Sequence, residues 1–358
     1  MKNNIKDILV FNVGAVIVGL LISACMLFFL KVNPAVVYGE ALKKIVSDGY
    51  TTGEILVKAT PLIFTALAFS FTYKANLFNI GAQGQFYAGS IVAITLSLLF
   101  GGVIPTVPLI LMILVAVFAA GGLVGALIGL AKAKCNANEF LVSMMSTYVV
   151  AAIMDYLLRT VLRETKGEYL QTDPISKSAY LVNIIPGTRV HLGFIIAVVA
   201  AIGVWVLLYK TPLGFRIRAV GCNSNAAELA GIRSSRIYVI AFLISGGLAG
   251  IAGLTEVNGV QHMLLQNFNE SIGSFGIGIA ILANGNPIGV IFASLLFGFM
   301  NVVGTTMGRL PGLNIPSSVI DYIEGIVMIC VIIAYFLRRY VSVRKEKKML
   351  KKEGEKSC

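Results

Sequence analysis

Apolar residues in this chain come in long blocks rather than at period two or in short amphipathic stretches. Ten blocks stand out: Ile8–Leu30, Ile55–Tyr73, Phe86–Phe100, Leu109–Leu130, Phe140–Leu158, Leu192–Leu208, Ile237–Leu254, Ile272–Leu282, Ile288–Val303 and Val319–Leu337. A helix rises about 1.5 Å per residue and about 20 residues cross a hydrocarbon core, so most blocks are long enough to span. Backbone groups left unpaired in lipid are costly, so each block is predicted to be helical. Phe86–Phe100 and Ile272–Leu282 are short, and the second contains Gly273, Gly276 and Gly278. Both are expected to be broken or re-entrant helices. The polar stretch Ala35–Val46 reads either as a surface helix or as a simple connector. The fold class expected is all-α: a polytopic membrane protein of about ten transmembrane helices.

Composition supports that class. The 358 residues are 57% hydrophobic and 13% charged, with mean hydropathy +0.85, where a soluble domain is about 25% charged. This excludes a soluble multidomain enzyme, a disordered chain and a nucleic-acid-binding domain. The net charge of +12 then points to anionic lipid headgroups, not nucleic acid. With the N-terminus inside and helices alternating, the inner ends gather Lys2, Lys6, Lys74, Lys132, Lys134, Lys210, Arg216, Arg218, Arg233 and Arg236. By the positive-inside rule both termini are predicted to be cytoplasmic. The chain reads as one membrane domain over 1–337, with an inner loop at 210–236, and a basic tail over 338–358 that anchors on lipid or binds a partner. Ile22-Ser23-Ala24-Cys25 looks like a lipoprotein processing site, but the apolar run continues through Met26–Leu30, so an uncleaved spanning helix is expected. The five cysteines are scattered with no metal spacing. His191 and His262 are expected to be interfacial or solvated. No cofactor or metal is implied.

Polar residues at membrane depth are the candidates for chemistry. Asn79-Ile80-Gly81-Ala82-Gln83-Gly84-Gln85 joins two apolar blocks and is uncharged. Gly81 and Gly84 are expected to interrupt the helix, and the amides of Asn79, Gln83 and Gln85 suit a polar neutral solute; an ordinary turn is the competing reading. Gly273–Gly278 and Asn284-Gly285-Asn286-Pro287 interrupt the other half. Paired interruptions point to a pseudo-symmetric transporter with its path between repeats, and close helix packing through glycine is the alternative. Asp155, Asp321 and Glu324 are acids inside apolar blocks; Asp155 pairs with Arg159 or contacts solute. No Gly-x-x-x-x-Gly-Lys-Ser/Thr element occurs, so ATP is not expected to bind this chain. Thr211–Ile232 is the most detailed segment: Pro212 and Gly214 mark a helix exit, and Asn225 can cap a short helix, Ala226–Ala230, that Gly231 ends.

That segment resembles the ATPase-contacting loop of permease subunits of ATP-binding cassette importers, in the ribose, nucleoside and branched-chain amino acid group. Phe78–Gln85 is similar to the Asn-Ile-Gly-x-x-Gly-Gln signature of that group, Asn138–Ser143 to its Asn-Glu-hydrophobic segment, and Pro316–Asp321 with Gly325 to the start of its last helix. The match runs from about Leu56 to Leu337. Within the group the chain most resembles nucleoside-uptake permeases. It departs from them at Ser274–Ala280, which lacks an acid, and at Ser146-Thr147-Tyr148. The resemblance implies a substrate path near Asn79, Gln83, Gln85, Phe86, Asn138, Glu139, Ser274, Phe275 and Asp321. It implies an ATPase-coupling loop through Gly214, Arg216, Arg218, Gly221, Asn223, Ala227, Glu228 and Gly231. The partners implied are a cytoplasmic ATP-binding subunit, a second permease subunit in a homo- or heterodimer, and an external solute-binding lipoprotein, with the chain multi-pass in the cell (inner) membrane. The activity implied is transport by alternating access, not enzymatic chemistry. The alternatives are a sugar or branched-chain amino acid permease of the same group, or an ion-coupled secondary transporter.

Overall fold

The computed structural model describes residues 33–309 except 166, 168 and 267, together with 14, 17–19, 21–25, 28, 322, 323, 325–330, 332–334, 336, 337 and 340. These fall into two compact units, Asp48–Val302 and a smaller one drawn from Met1–Ser47 and Val303–Cys358. In the smaller unit, α1 (Pro34–Ser47) occupies the stretch read as a helix or a connector. It buries Val37, Ala41 and Ile45, each four positions from the next, the spacing of one helix face. Gly19 of the first apolar block faces Val327, where a Cβ would come within 2.8 Å of the Val327 backbone.

The larger unit is built from α2 (Gly49–Tyr73), α3 (Ala82–Phe100), α4 (Thr106–Cys135), α5 (Glu139–Arg159), α6 (Gly193–Lys210), α7 (Pro212–Cys222), α8 (Ser224–Leu229), α9 (Ser234–Glu256), α10 (Ile272–Leu282) and α11 (Pro287–Gly308), the last of which runs into the other unit. A π-helical turn, Val257–Gln261, extends α9. Seven helices among the described residues are long and apolar enough to cross a membrane, and α10 is too short to do so. The seven include Ala82–Phe100, which corrects the expectation of a broken helix there. Gly84 lies inside α3 and Gly81 is its N-cap, and the polar Gln83 and Gln85 are carried into the helix because both amides are hydrogen-bonded there.

α2 and α4 end, and α5 and α9 begin, at one end of this unit. Ala75, Lys132, Glu139, Gly221 and Tyr238 meet around one cavity, the basic end of this unit. At the opposite end the strand-like segment 164–192 pairs with 258–266: Thr172, Ile175 and Leu181 donate backbone hydrogen bonds of 2.9–3.0 Å to Leu264, His262 and Asn258. Asp48 starts α2 there, its carboxylate accepting from the Tyr50 and Thr51 amides, a favourable charge at a helix N-terminus.

α2 is enclosed on nearly all sides, as expected for a helix apolar all round; Leu111, Val115, Leu123 and Leu127 of α4 and Val199, Ile202 and Val206 of α6 face outward. Van der Waals packing, not hydrophobic gain, drives helix association between lipid-soluble segments, so close backbone approach matters. Here glycine supplies it. A Cβ at Gly121 or Gly125 of α4 would lie 2.3 or 2.1 Å from the Gly246 or Phe242 carbonyl oxygen of α9. One at Gly250 of α9 would lie 2.3 Å from Val117 O, and one at Gly89 of α3 would lie 2.2 Å from Gly250 O. Three helices therefore touch backbone to backbone around Gly250.

Gly121→Val should separate α4 from α9 and cost about 1–3 kcal/mol or more from overpacking. Gly203→Val on α6, where no atom lies within 4 Å of an added Cβ, should leave the detergent melting temperature unchanged. Equal melting temperatures for the two variants would refute the seam.

Candidate translocation path and coupling surface

The break between α2 and α3 exposes Asn76 and Phe78 but buries its polar residue Asn79, which is internally satisfied. Asn79 Nδ2 donates to Gln85 Oε1 and to Ser245 Oγ, both at 2.8 Å, and Gln85 Nε2 returns a bond to Asn79 Oδ1 at 3.2 Å. Ser245 in turn donates to Ala68 O at 2.7 Å. Asn79 and Gln85 are both fully buried, so this pair locks α3 to α9 and α2. Ser245 was not singled out from the sequence, where a lone serine in an apolar block carries no signal. Gly84 and Gly81 let α5 approach: added Cβ atoms would come within 2.7 Å of Thr147 Cα and Ser143 O. Phe86 is buried against Phe268, with ring centroids 5.3 Å apart.

Gln83 acts elsewhere. Its Nε2 donates to Asn269 O at 2.9 Å, and its Oε1 accepts from Gly273 N at 2.6 Å. The first amides of a helix have no partner within it, and Gln83 satisfies one for α10. Thr65 Oγ1 donates to Ile272 O at 3.3 Å. Thr65 lies eight residues, or roughly 12 Å, before the end of α2 at Tyr73, so α10 starts well inside the bundle and runs to the basic end. Gly273 lies on Gln83 and Gly276 on Thr65, with no room for a Cβ. The glycines of 273–278 thus let a half-helix begin well inside the bundle and let it pack closely, the second of the two readings taken from the sequence. Ser274 is exposed, and Phe275 meets Phe297 at 6.4 Å between centroids.

The segment that carries the chain down to α10 is tied to a carboxylate. Glu256 is 3% exposed, and its Oε1 accepts from Asn269 Nδ2 at 2.6 Å and from Gln261 Nε2 at 3.4 Å. Near it, Arg189 makes a two-point ion pair with Glu54, Nε to Oε1 at 2.8 Å and Nη2 to Oε2 at 2.7 Å. Charge-assisted bidentate pairs of this kind are strong and directional, and the Glu54 carboxylate raises the Arg189 pKa. Glu54, Glu256 and Asn269 border the apolar blocks by one or a few positions, so the sequence showed them as block ends. Asp155 and Arg159 form no ion pair; Asp155 Oδ1 is buried with no partner among the described residues. Asp321 and Glu324 lie outside the described residues.

The histidine expectation is corrected. His191 is 1% exposed, its Nδ1 accepts from Gly193 N at 3.1 Å, and its Nε2 faces Gly259 without a partner among the described residues. The 164–192 segment folds back over the helix ends and buries it. His262 stacks on Tyr180, with centroids 3.7 Å apart. Among the described residues no group of three His, Cys, Asp or Glu side chains could hold a metal.

At the basic end the segment 211–232 forms two helices where one was expected. Thr211 caps α7, its Oγ1 accepting from Gly214 N, and Gly214 lies where a Cβ would come within 2.1 Å of Leu207 O. Asn223, not Asn225, caps α8 by accepting from Ala226 N at 3.1 Å: Asn223 has the extended backbone an N-cap requires, whereas Asn225 is already helical. Gly231 turns the chain at φ +80° after α8. Ala227 is buried, Arg216 and Glu228 are exposed, and Leu229 is 92% exposed at the tip. Arg218 lies over the Tyr209 ring. A cavity of about 1080 Å³ between α7, α8 and the start of α9 is lined by Arg216, Arg233 and Arg236 together with Leu213, Ile232 and Ile237. A second, of about 450 Å³, brings Glu139 beside Gly221 and Asn223. Glu139 is paired with Lys132 at 3.0 Å, and Asn138 caps α5, so these two residues stand at the basic end beside the α7–α8 segment, and not among the groups that hold the start of α10.

The larger unit is an all-helical bundle with a half-helix clamped inside it and a capped helical projection at its basic end. The chain belongs to the family described as the branched-chain amino acid transport system / permease component, whose model matches residues 51–332. Among curated proteins it is 30% identical to a guanosine ABC transporter permease of Bacillus subtilis, over 93% of this chain and 95% of the relative. It is 31% identical to a glucose ABC transporter permease of Haloferax volcanii, over 91% and 87%, and 28% identical to a nucleoside ABC transporter permease of Lactococcus lactis, over the whole of both chains. No solved structure matches it.

Gln83→Leu should leave Gly273 N–H and Asn269 C=O unpaired, at about 1–3 kcal/mol for each buried group, and should lower the melting temperature in detergent. His191 has its pKa pushed down from 6.5 to about 4, first by burial and then by the nearby His262 charge. The unfolded chain therefore takes up a proton before the folded one does. Stability should be flat above about pH 6.5, fall as pH drops from there to about 4, and level off below. His191→Gln should flatten that slope in melting curves recorded across pH; an unchanged slope would assign the dependence to other groups.

Proposed function

We propose that this chain is the path-forming subunit of an ATP-driven importer of nucleosides. It works with an ATP-binding subunit, a second permease subunit and an external solute-binding lipoprotein, with the basic end and both termini cytoplasmic in the cell membrane. The observation that carries the proposal is the pairing of a capped, solvent-exposed α7–α8 projection with a half-helix held at depth. The first offers a partner a rigid handle, and the second is an element whose displacement alters a path through the bundle. The nucleoside assignment is supported by the names of the B. subtilis and L. lactis relatives; the glucose relative keeps a sugar substrate as the second reading.

The mechanism is alternating access. Partner closure, driven by ATP, moves α7–α8 through the arginine-lined cavity, and the helices around α10 exchange outward- and inward-open arrangements. A few kcal/mol of differential binding suffices to move such an equilibrium almost completely. Asn79 and Gln85 hold this machine together by bonding each other. Solute contact falls to groups around Gln83, Asn269 and Glu256, where the chain descends to α10.

Proteoliposomes holding the permease, its ATP-binding subunit and its receptor should accumulate radiolabelled guanosine on ATP addition, with unlabelled nucleosides competing and glucose and leucine not. Competition by glucose would favour the sugar reading. Accumulation by the permease alone under an ion gradient would overturn the importer reading.

A further inference from the structure

Lys74 follows the last residue of α2 and bears on two elements at once. Its backbone carbonyl lies against α7: a Cβ added at Gly221 would come within 2.2 Å of Lys74 O. With no side chain between them, the end of α7 rests directly on the chain at Lys74, and close-packed contacts of this kind transmit displacement instead of absorbing it. At its other extremity, Lys74 Nζ donates to Asn284 O at 3.2 Å, just past the end of α10. Carbonyls at a helix C-terminus lack internal partners and carry partial negative charge, so an ammonium suits this position. Gly285, at φ +62°, turns the chain there and lies against Lys74 and Tyr73. Lys74 is half-buried; burial, then the charge of Arg218 on α7, lowers its pKa. Gln83 fixes the opposite end of the same half-helix at Gly273.

We infer that Lys74 is a positioning residue that carries motion of the α7–α8 segment to the half-helix α10, its carbonyl bearing on Gly221 and its ammonium holding the α10 C-terminus. Because α10 is pinned at its start by Gln83, displacement at Asn284 tilts it about that start and changes the space at depth. The inference rests on the importer reading, since α7–α8 moves only if a partner moves it. It assigns the link between α7 and α10 to one lysine that the sequence gives no reason to connect with either, since Lys74 stands 210 residues from Asn284.

The test compares wild type, Lys74→Met and Lys74→Arg in the full complex. Readouts are co-purification of the ATP-binding subunit, ATP hydrolysis and guanosine taken up per ATP hydrolysed. Loss of one charge-assisted hydrogen bond should lower uptake per ATP about tenfold in Lys74→Met, with assembly and hydrolysis retained, and Lys74→Arg should restore most of it. Wild-type coupling in Lys74→Met would overturn the inference. So would parallel loss of assembly, hydrolysis and uptake that arginine does not rescue, which marks a purely structural role. Hydrogen exchange on the permease alone gives a separate readout: amides of 279–286 should exchange faster in Lys74→Met than in wild type or Lys74→Arg, and unchanged exchange would also overturn the inference. If the wild-type complex shows no ATP-driven uptake, the importer reading fails while the exchange comparison still decides the tether.

Discussion

Backbone contact between helices is the constraint on which the larger unit is built. Inside a bilayer an apolar side chain gains little by leaving lipid for protein, so helices stay together through close packing and buried polar bonds. Glycines 121 and 125 on α4, 246 and 250 on α9, and 89 on α3 remove the side chains that would hold the three backbones apart. Once α9 is fixed against α3 and α4, Ser245 stands within reach of Asn79 and Ala68, and Asn79 in the break after α2 can be buried instead of solvated. The polar interior depends on the glycine seam for its geometry.

The second constraint is that each break in a helix at membrane depth must have its backbone groups satisfied by protein. Two neighbouring glutamines of α3 divide this task. Gln85 closes on Asn79 and stays within the core, whereas Gln83 reaches out to the start of α10. Residues of one type, two positions apart, therefore hold different elements, because consecutive helical positions point about 100° apart. Glu256 repeats the principle near the far end of α9, where its carboxylate gathers Asn269 and Gln261 and sets the descent of the chain toward α10.

The proposed transport rests on how these fixed pieces border the α7–α8 projection and α10. The α7–α8 projection is capped at both starts by side chains, Thr211 and Asn223, and so keeps its shape while exposing Leu229 and the arginine-lined cavity. A rigid projection is what a partner needs if its own closure is to reach the bundle. The Asn138–Glu139 pair, grouped with the solute path by resemblance, stands beside this projection, while Gln83 and Asn269 stand where α10 begins.

Much of this was legible in the residues. Long apolar blocks gave the helical class, the short block at 272–282 gave the half-helix, and Pro212, Gly214 and Gly231 marked the projection, because each is a local property of chain length, hydropathy or backbone freedom. The assignments that needed tertiary structure are those in which identical local signals part. The polar run at 82–85 looked like a helix breaker, yet it is helical because partners from 79, 269 and 273 satisfy its amides. His191 looked solvated, yet it is buried by a loop that returns over it. Asn225 looked like the cap, and Asn223 is. Residue type and spacing determine what a segment can do alone; which polar groups meet across 60 or 200 residues is decided only when the helices pack, since a hydrogen bond at depth requires both partners to be placed by separate elements.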